Sequence, residues 1–179
     1  MNGAKVVTML SAEAIAQRVR EMGARIAKDY AGQPLVLVCV LKGSFIFTAD
    51  LSRAIDGDFR IEFLGVRSYG EGTSTTGVVQ ITQDLLRPIE GEHVLLVEDI
   101  VDTGLTIKHL LDLLKTRNPR SVKVCALLHK PARSRVTVPI DYLGFTIEDE
   151  FVVGYGLDWA ERYRNLPFIG VVASQGGGT

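Results

Sequence analysis

Residues 94–106 read VLLVEDIVDTGLT, and this stretch decides the fold. Val94 to Val97 form an apolar run with no polar face, the pattern of a strand covered on both sides. Two acids, Glu98 and Asp99, follow it, then Asp102 and a Thr-Gly turn. From Leu105 the apolar residues Ile107, Leu110, Leu111 and Leu114 recur on one helical face, which Asn118-Pro119 closes. Val122 to Leu128 is again a strand, so the order strand, helix, strand makes a βαβ unit and a parallel sheet.

Upstream the pattern repeats. Ser11 is placed to cap a helix with apolar Ile15, Val19, Met22 and Ile26, which Gly32 and Pro34 end. Leu35 to Leu41, LVLVCVL, is a second buried strand, and a helix follows from about Ser44 to Ile55. Phe59, Ile61 and Phe63 alternate with Arg60 and Glu62 as in a half-exposed strand. Arg67 to Gly77, RSYGEGTSTTG, loses all apolar periodicity and reads as a mobile loop before a strand resumes at Val78 to Gln83. The expectation is an α/β fold with an open, mostly parallel, twisted sheet flanked by helices. One domain spans 1–174, and 175–179 form a disordered tail.

Composition agrees with one domain. A chain of 179 residues with 46% hydrophobic content buries roughly 70% of its unfolded surface, enough for a core without staples. A net charge of -1 argues against a nucleic-acid backbone as main partner. Cys39 and Cys125 lie inside apolar runs and read as core residues without metal-ligand spacing, so the cytoplasm is the expected compartment. No apolar stretch reaches the ~18 residues of a membrane span, and no membrane partner is expected. Eighteen glycines exceed the usual share, which points either to linkers or to backbone that approaches a ligand.

The crevice beyond the carboxyl ends of parallel strands is where ligands of open α/β sheets bind, facing the amides that open the next helix. Asp102, Thr103, Gly104, Leu105 and Thr106 therefore suit a phosphate, with two hydroxyl donors and a glycine that admits close approach. Glu98 and Asp99 are poor neighbours for a phosphate but good acceptors for ribose hydroxyls. Acids beside a phosphate cradle suggest a sugar phosphate. The chain has no G-x-x-x-x-G-K-[ST], and neither Gly70-Glu71-Gly72 nor Gly154-Tyr155-Gly156 completes a dinucleotide fingerprint.

At this point the segment resembles the phosphoribosyl-pyrophosphate signature of the type I phosphoribosyltransferases. Leu41-Lys42-Gly43-Ser44, Ser68-Tyr69-Gly70, His129-Lys130-Pro131 and FVVGYGLDWAERYRNLP at 151–167 occur in the order and spacing of the hypoxanthine (6-oxopurine) phosphoribosyltransferases, a match from about residue 10 to 172. The resemblance implies a small hood built from terminal segments. It also implies transfer of a ribosyl 5-phosphate from phosphoribosyl pyrophosphate to N9 of hypoxanthine or guanine, releasing pyrophosphate and giving IMP or GMP.

In that scheme Glu98 and Asp99 hold the ribose hydroxyls and Mg2+. Residues 102–106 hold the 5-phosphate, and Asp102 is the acid-base residue near N7, a position from which it could equally cap the following helix. Lys130 donates to the 6-oxo group, Phe151 stacks on the purine and the Val152 backbone reads its edge. Asp158 serves a second magnesium through water and lies by the purine. Lys42, Gly43 and Arg164 take the pyrophosphate, with a cis peptide implied between Leu41 and Lys42. Ser68 and Tyr69 begin a lid that excludes water. Homodimers or homotetramers are implied as well.

Two rival readings stay open here. One is a xanthine- or guanine-specific relative, since the purine 2-position is read partly by backbone. The other is an RNA-binding regulator on the same fold, favoured by residues 115–135, which carry seven Lys/Arg and no acid.

Overall fold

The computed structural model describes residues 5–68 and 79–173. The elements are β1 (Val6–Leu10), α1 (Ala12–Asp29), β2 (Leu35–Leu41), α2 (Phe45–Ala54), β3 (Phe59–Ser68), β4 (Val79–Gln83), β5 (His93–Val101), α3 (Leu105–Lys115), β6 (Ser121–His129), β7 (Tyr142–Thr146), β8 (Val152–Val153) and β9 (Ile169–Val172), with a 3-10 turn at Pro131–Arg133. Six strands form the main sheet in the order β4-β3-β2-β5-β6-β7. Its inner pairs are parallel, and β4 joins the edge antiparallel. A second, antiparallel sheet, β1-β9-β8, brings the two ends of the described chain together as the expected hood.

β2 is apolar along its length because both of its faces are covered. Leu35 and Leu37 pack with Ile15, Val19, Met22 and Ile26 of α1 and with Phe47 and Leu51 of α2. Val36, Val38 and Val40 point the other way and join Ile107, Leu110 and Leu114 of α3. Ser11 caps α1 as its sequence implies, accepting from the Ala14 amide at 3.2 Å. Cys39 and Cys125 are fully buried free thiols, and burial raises the pKa of both.

β2 has β3 on one side and β5 on the other, so the crossovers leaving β2 and β5 run in opposite directions. That divergence opens a crevice at the carboxyl ends of β2 and β5, the usual ligand position in such sheets.

The structure departs from the sequence expectation at three points. β5 does not end at Val97: ladder pairing to β6 continues through Glu98↔Ala126 and Val101↔His129, so both acids lie within the strand. β3 likewise runs on through Arg67 and Ser68, where a loop is expected. Its faces are also inverted, with Ile61 and Phe63 exposed and Glu62 buried. The cause is an ion pair from Glu62 to Arg60, which also reaches Glu92 and lets a carboxylate take a core position. Tyr69 to Gly77 of the expected loop, Val78 of the expected strand, Ser174 and the expected tail at 175–179 lie outside the described residues. Among the described residues no helix is long and apolar enough to cross a membrane.

Candidate active site

A cleft of about 350 Å3 lies in that crevice, lined by Lys42 and Gly43 after β2, by Asp99, Ile100 and Asp102 from β5 and its turn, and by Lys130 after β6. Phe151, Val152, Leu157, Asp158 and Arg164 close it from the hood side. Nine of the residues singled out in the sequence thus meet in one place, although they lie up to 122 positions apart. A neighbouring cavity of about 570 Å3 shares Lys42, Asp158 and Arg164 and continues towards Arg67, Thr82 and Gln83.

Close backbone approach explains two of the glycines. A Cβ on Gly43 would stand 1.6 Å from Asp99 Oδ2, and one on Gly156 would stand 2.1 Å from the Gly43 carbonyl oxygen. Any side chain at 43 would drive the Asp99 carboxylate out of place. The peptide Leu41-Lys42 is cis, as the resemblance implies. Ser44 follows it, fully buried, with its hydroxyl donating to the Val40 carbonyl at 2.7 Å.

Asp99 lines the cleft, whereas Glu98, the residue before it in β5, is buried behind the lining and senses the charge of Asp99. Burial, and then the charge of Asp99, lifts the Glu98 carboxyl well above the usual carboxylate range, and Glu98 Oε2 has no hydrogen-bond partner. Burial pushes Asp99 up to about 6, opposed by the Ile100 amide, which donates to Oδ1 at 2.8 Å, and by Arg164. Two adjacent acids held against such desolvation fit a divalent cation, whose charge would offset it. No three acid, His or Cys side chains converge as a metal cluster among the described residues. Such an arrangement suits magnesium, which takes one or two carboxylates and completes its shell with water and phosphate oxygens.

The turn after β5 carries the anion cradle at 102–106. Gly104 caps α3 in a left-handed conformation (φ 80°), and a Cβ there would meet the Val136 carbonyl at 2.5 Å. The helix cap is therefore Gly104 and not Asp102, which lines the cleft instead. Thr103, Gly104, Leu105 and Thr106 flank the cleft without lining it, placing the opening amides of α3 beside Asp102. Arg133 Nε stands 3.1 Å from Asp102 Oδ1, an ion-pair distance without hydrogen-bond alignment, and Arg133 Nη1 stands 3.7 Å from Asp149.

Lys130 is only 8% exposed, its amide donating to the Val101 carbonyl at 3.0 Å, which ties the end of β6 to the end of β5. Phe151 is 56% exposed at the cleft, and Val152 is buried in the hood sheet. Arg164 is fixed by the Gly156 carbonyl at 2.7 Å and by Asp158 at 2.8 Å, while its Nε is buried without a partner. Ser68 ends β3, and Tyr69 after it lies outside the described residues. Ile100 and Leu157 line the cleft without being singled out in the sequence, since a lone apolar side chain beside an acid has no chemistry that marks it as a site residue.

The basic stretch 115–135 disperses in three dimensions. Arg117 pairs with Asp84, Lys123 lies over the rings of Tyr30 and Tyr142, Lys130 enters the cleft and Arg133 meets Asp102. These four of its seven cations serve separate partners rather than one face for a phosphate backbone.

Residues 6–159 match the family model of the phosphoribosyl transferase domain. The chain is 48% identical over 167 residues to the hypoxanthine-guanine phosphoribosyltransferase of Streptococcus pneumoniae, covering 93% of each chain. It is 46% identical over 169 residues to the hypoxanthine phosphoribosyltransferase of Escherichia coli, covering 93% of this chain and 95% of that one. The crystal structure of a hypoxanthine-guanine phosphoribosyltransferase from Bacillus anthracis superposes with a TM-score of 0.90 at 46% identity, covering 96% of this chain and all of the other.

Proposed function

The chain belongs to the phosphoribosyltransferase family, among the hypoxanthine-guanine phosphoribosyltransferases, and from that premise we propose how its cleft performs purine salvage. It is a pentosyltransferase that moves ribosyl 5-phosphate from phosphoribosyl pyrophosphate to a 6-oxopurine. The observation that carries the reading is the meeting of Lys42, Asp99, Asp102, Lys130, Phe151 and Arg164 around one cleft of nucleotide scale.

The reaction develops positive charge on the ribose ring and negative charge on the leaving pyrophosphate, so the site needs acids at one end and cations at the other. Glu98 and Asp99 orient the ribose hydroxyls and would hold a Mg2+, whose charge would offset that of the donor's phosphates. The amides of 103–106 take the 5-phosphate at the start of α3. Asp102, at the same turn, accepts or shares the purine proton as N9 attacks. Lys130 donates to the 6-oxo group and disfavours adenine, whose amino group cannot accept from an ammonium. Phe151 stacks on the purine while the Val152 backbone reads its edge, Lys42, Gly43 and Arg164 receive the pyrophosphate, and Asp158 would help to hold a second magnesium. Ser68 and Tyr69 start the lid. A cytoplasmic setting and assembly into homodimers or homotetramers belong to the same reading, the second supported by exposed Phe45, Ile61 and Phe63 on the α2 side of the sheet.

Steady-state turnover with hypoxanthine, guanine, xanthine and adenine, with and without magnesium, tests this. Hypoxanthine and guanine should turn over only with magnesium, and Asp102→Asn should cut kcat by about 10²- to 10⁴-fold while leaving donor binding nearly intact. Efficient adenine turnover would remove Lys130 from its role, and preference for xanthine would favour the specific relative. Unchanged turnover in Asp102→Asn would remove Asp102 from the acid-base step.

A further inference from the structure

An anion already stands beside the cleft, at the two cations assigned to pyrophosphate. Glu161 lies in the hood loop with φ 62°, a left-handed conformation for a residue that is not glycine. Its amide donates to Asp158 Oδ2 at 2.8 Å, and a bridge between Trp159 and Arg162 fixes the loop around it. The carboxylate so placed meets Lys42 Nζ at 3.1 Å, across 119 positions of sequence, and Arg164 Nη2 at 3.5 Å. Lys42 first and Arg164 second hold the Glu161 carboxyl below its usual range. Both cations are those assigned to pyrophosphate above, and the cavity beside the cleft is lined by Glu161 together with both of them.

Resting on that assignment, we propose that Glu161 is an internal counter-anion that competes with the donor's pyrophosphate for Lys42 and Arg164, and so sets both the affinity for the donor and the ease of pyrophosphate release. Exposure makes the competition mild and reversible. The Lys42 and Glu161 side chains are 67% and 65% exposed, a range in which ion pairs are weak and the side chain swings away at little cost. A carboxylate bears one charge and pyrophosphate several, so the donor displaces it. When pyrophosphate departs, the return of Glu161 re-pairs the two cations and opposes rebinding. Arg164 stays in place throughout, because the Gly156 carbonyl and Asp158 anchor it independently of Glu161.

The experiment is calorimetric titration of magnesium pyrophosphate into the whole protein and into Glu161→Gln, paired with the KM for phosphoribosyl pyrophosphate. Glutamine keeps the length and shape of the side chain and removes only its charge. Glu161→Gln should bind pyrophosphate about two- to fivefold tighter and lower the KM for the donor by a similar factor, with affinity for a nucleoside 5'-monophosphate unchanged. Unchanged or weaker pyrophosphate binding would overturn the proposal, because Glu161 would then be inert or would be holding the cations ready for the ligand. Equal tightening of the monophosphate would overturn it too, since the effect would be one of overall charge. Failure of the unaltered protein to bind pyrophosphate at all would instead sink the assignment of Lys42 and Arg164 on which the proposal rests.

Discussion

Glu62 in β3 and the Glu98-Asp99 pair in β5 are acids set into one buried sheet, and the chain treats them in opposite ways. Glu62 meets Arg60, which in turn reaches Glu92 and the Pro88 carbonyl, and its second oxygen accepts from the Leu86 amide at 3.0 Å. Every charge there has a protein partner. Glu98 Oε2 has none, and Asp99 is held by two backbone amides, that of Ile100 and its own, with Arg164 only at a distance. A buried acid with its own cation belongs to the architecture. Buried acids without one are a standing cost, and they sit at the switch point where a ligand and its metal would supply the missing charge.

The sharpest way to break this contrast is Asp99→Asn. The variant keeps an oxygen for the Ile100 amide but loses the negative charge, so transfer should fall by about two to three orders of magnitude while the protein stays folded. Initial rates at saturating magnesium, with circular dichroism of the same samples, check both halves. Retained transfer would make Asp99 as architectural as Glu62.

Glu62→Ala should do the reverse. Removing the carboxylate leaves Arg60 in a largely buried position with Glu92 and Pro88 alone, and should cost about 2–3 kcal/mol in urea unfolding, with kcat and KM nearly unchanged in the folded fraction. A loss below about 0.5 kcal/mol would mean that water, not Arg60, satisfies this acid.

The same contrast explains what can be read from the sequence. β2, α1 and α3 are legible because their burial is periodic or continuous, down to the Ser11 cap. The sequence cuts β5 short at Val97 because two acids look like a strand end, although the ladder pairs continue to Val101. β3 is legible as a strand but not by face, since the partner that buries Glu62 leads on to Glu92, thirty positions away. β7 and the paired strands β1 and β9 are four or five residues long, and the partners of the second pair lie at opposite ends of the chain, so periodicity carries no trace of them. At the site, strand ends and turn chemistry locate Glu98, Asp99 and residues 102–106. Lys130, Phe151, Asp158 and Arg164 come from motif resemblance alone, because a lysine after a strand or an arginine in a loop carries no distinguishing local pattern. The glycine surplus resolves physically: Gly43 and Gly156 are packed against Asp99 and each other, where no side chain fits.

The smallest effect is also the most direct measure of the cost carried by the β5 acids. In the folded chain Asp99 takes up its proton near pH 6, whereas in the unfolded chain it does so near its ordinary value of 3.8. Between these values the folded state holds a proton that the unfolded state lacks. Asp99 therefore contributes most favourably below pH 3.8, loses that contribution as pH rises to about 6, and stays flat above it. An asparagine in its place does not titrate, so Asp99→Asn should gain on the unaltered protein as pH rises. The gain should be near zero at about pH 4 and about 1–2 kcal/mol at about pH 8, under a ceiling of about 3 kcal/mol set by the separation of the two values. Urea unfolding of both proteins in steps between those two pH values, without magnesium, gives the curve. A difference that does not grow as pH rises towards 6 would mean that Asp99 bears no burial penalty, and that its neighbourhood already resembles that of Glu62. Adding magnesium and phosphoribosyl pyrophosphate at the upper end of the range should then erase or reverse the advantage of Asp99→Asn, because a cation held by both acids would stabilise the unaltered protein more than the variant.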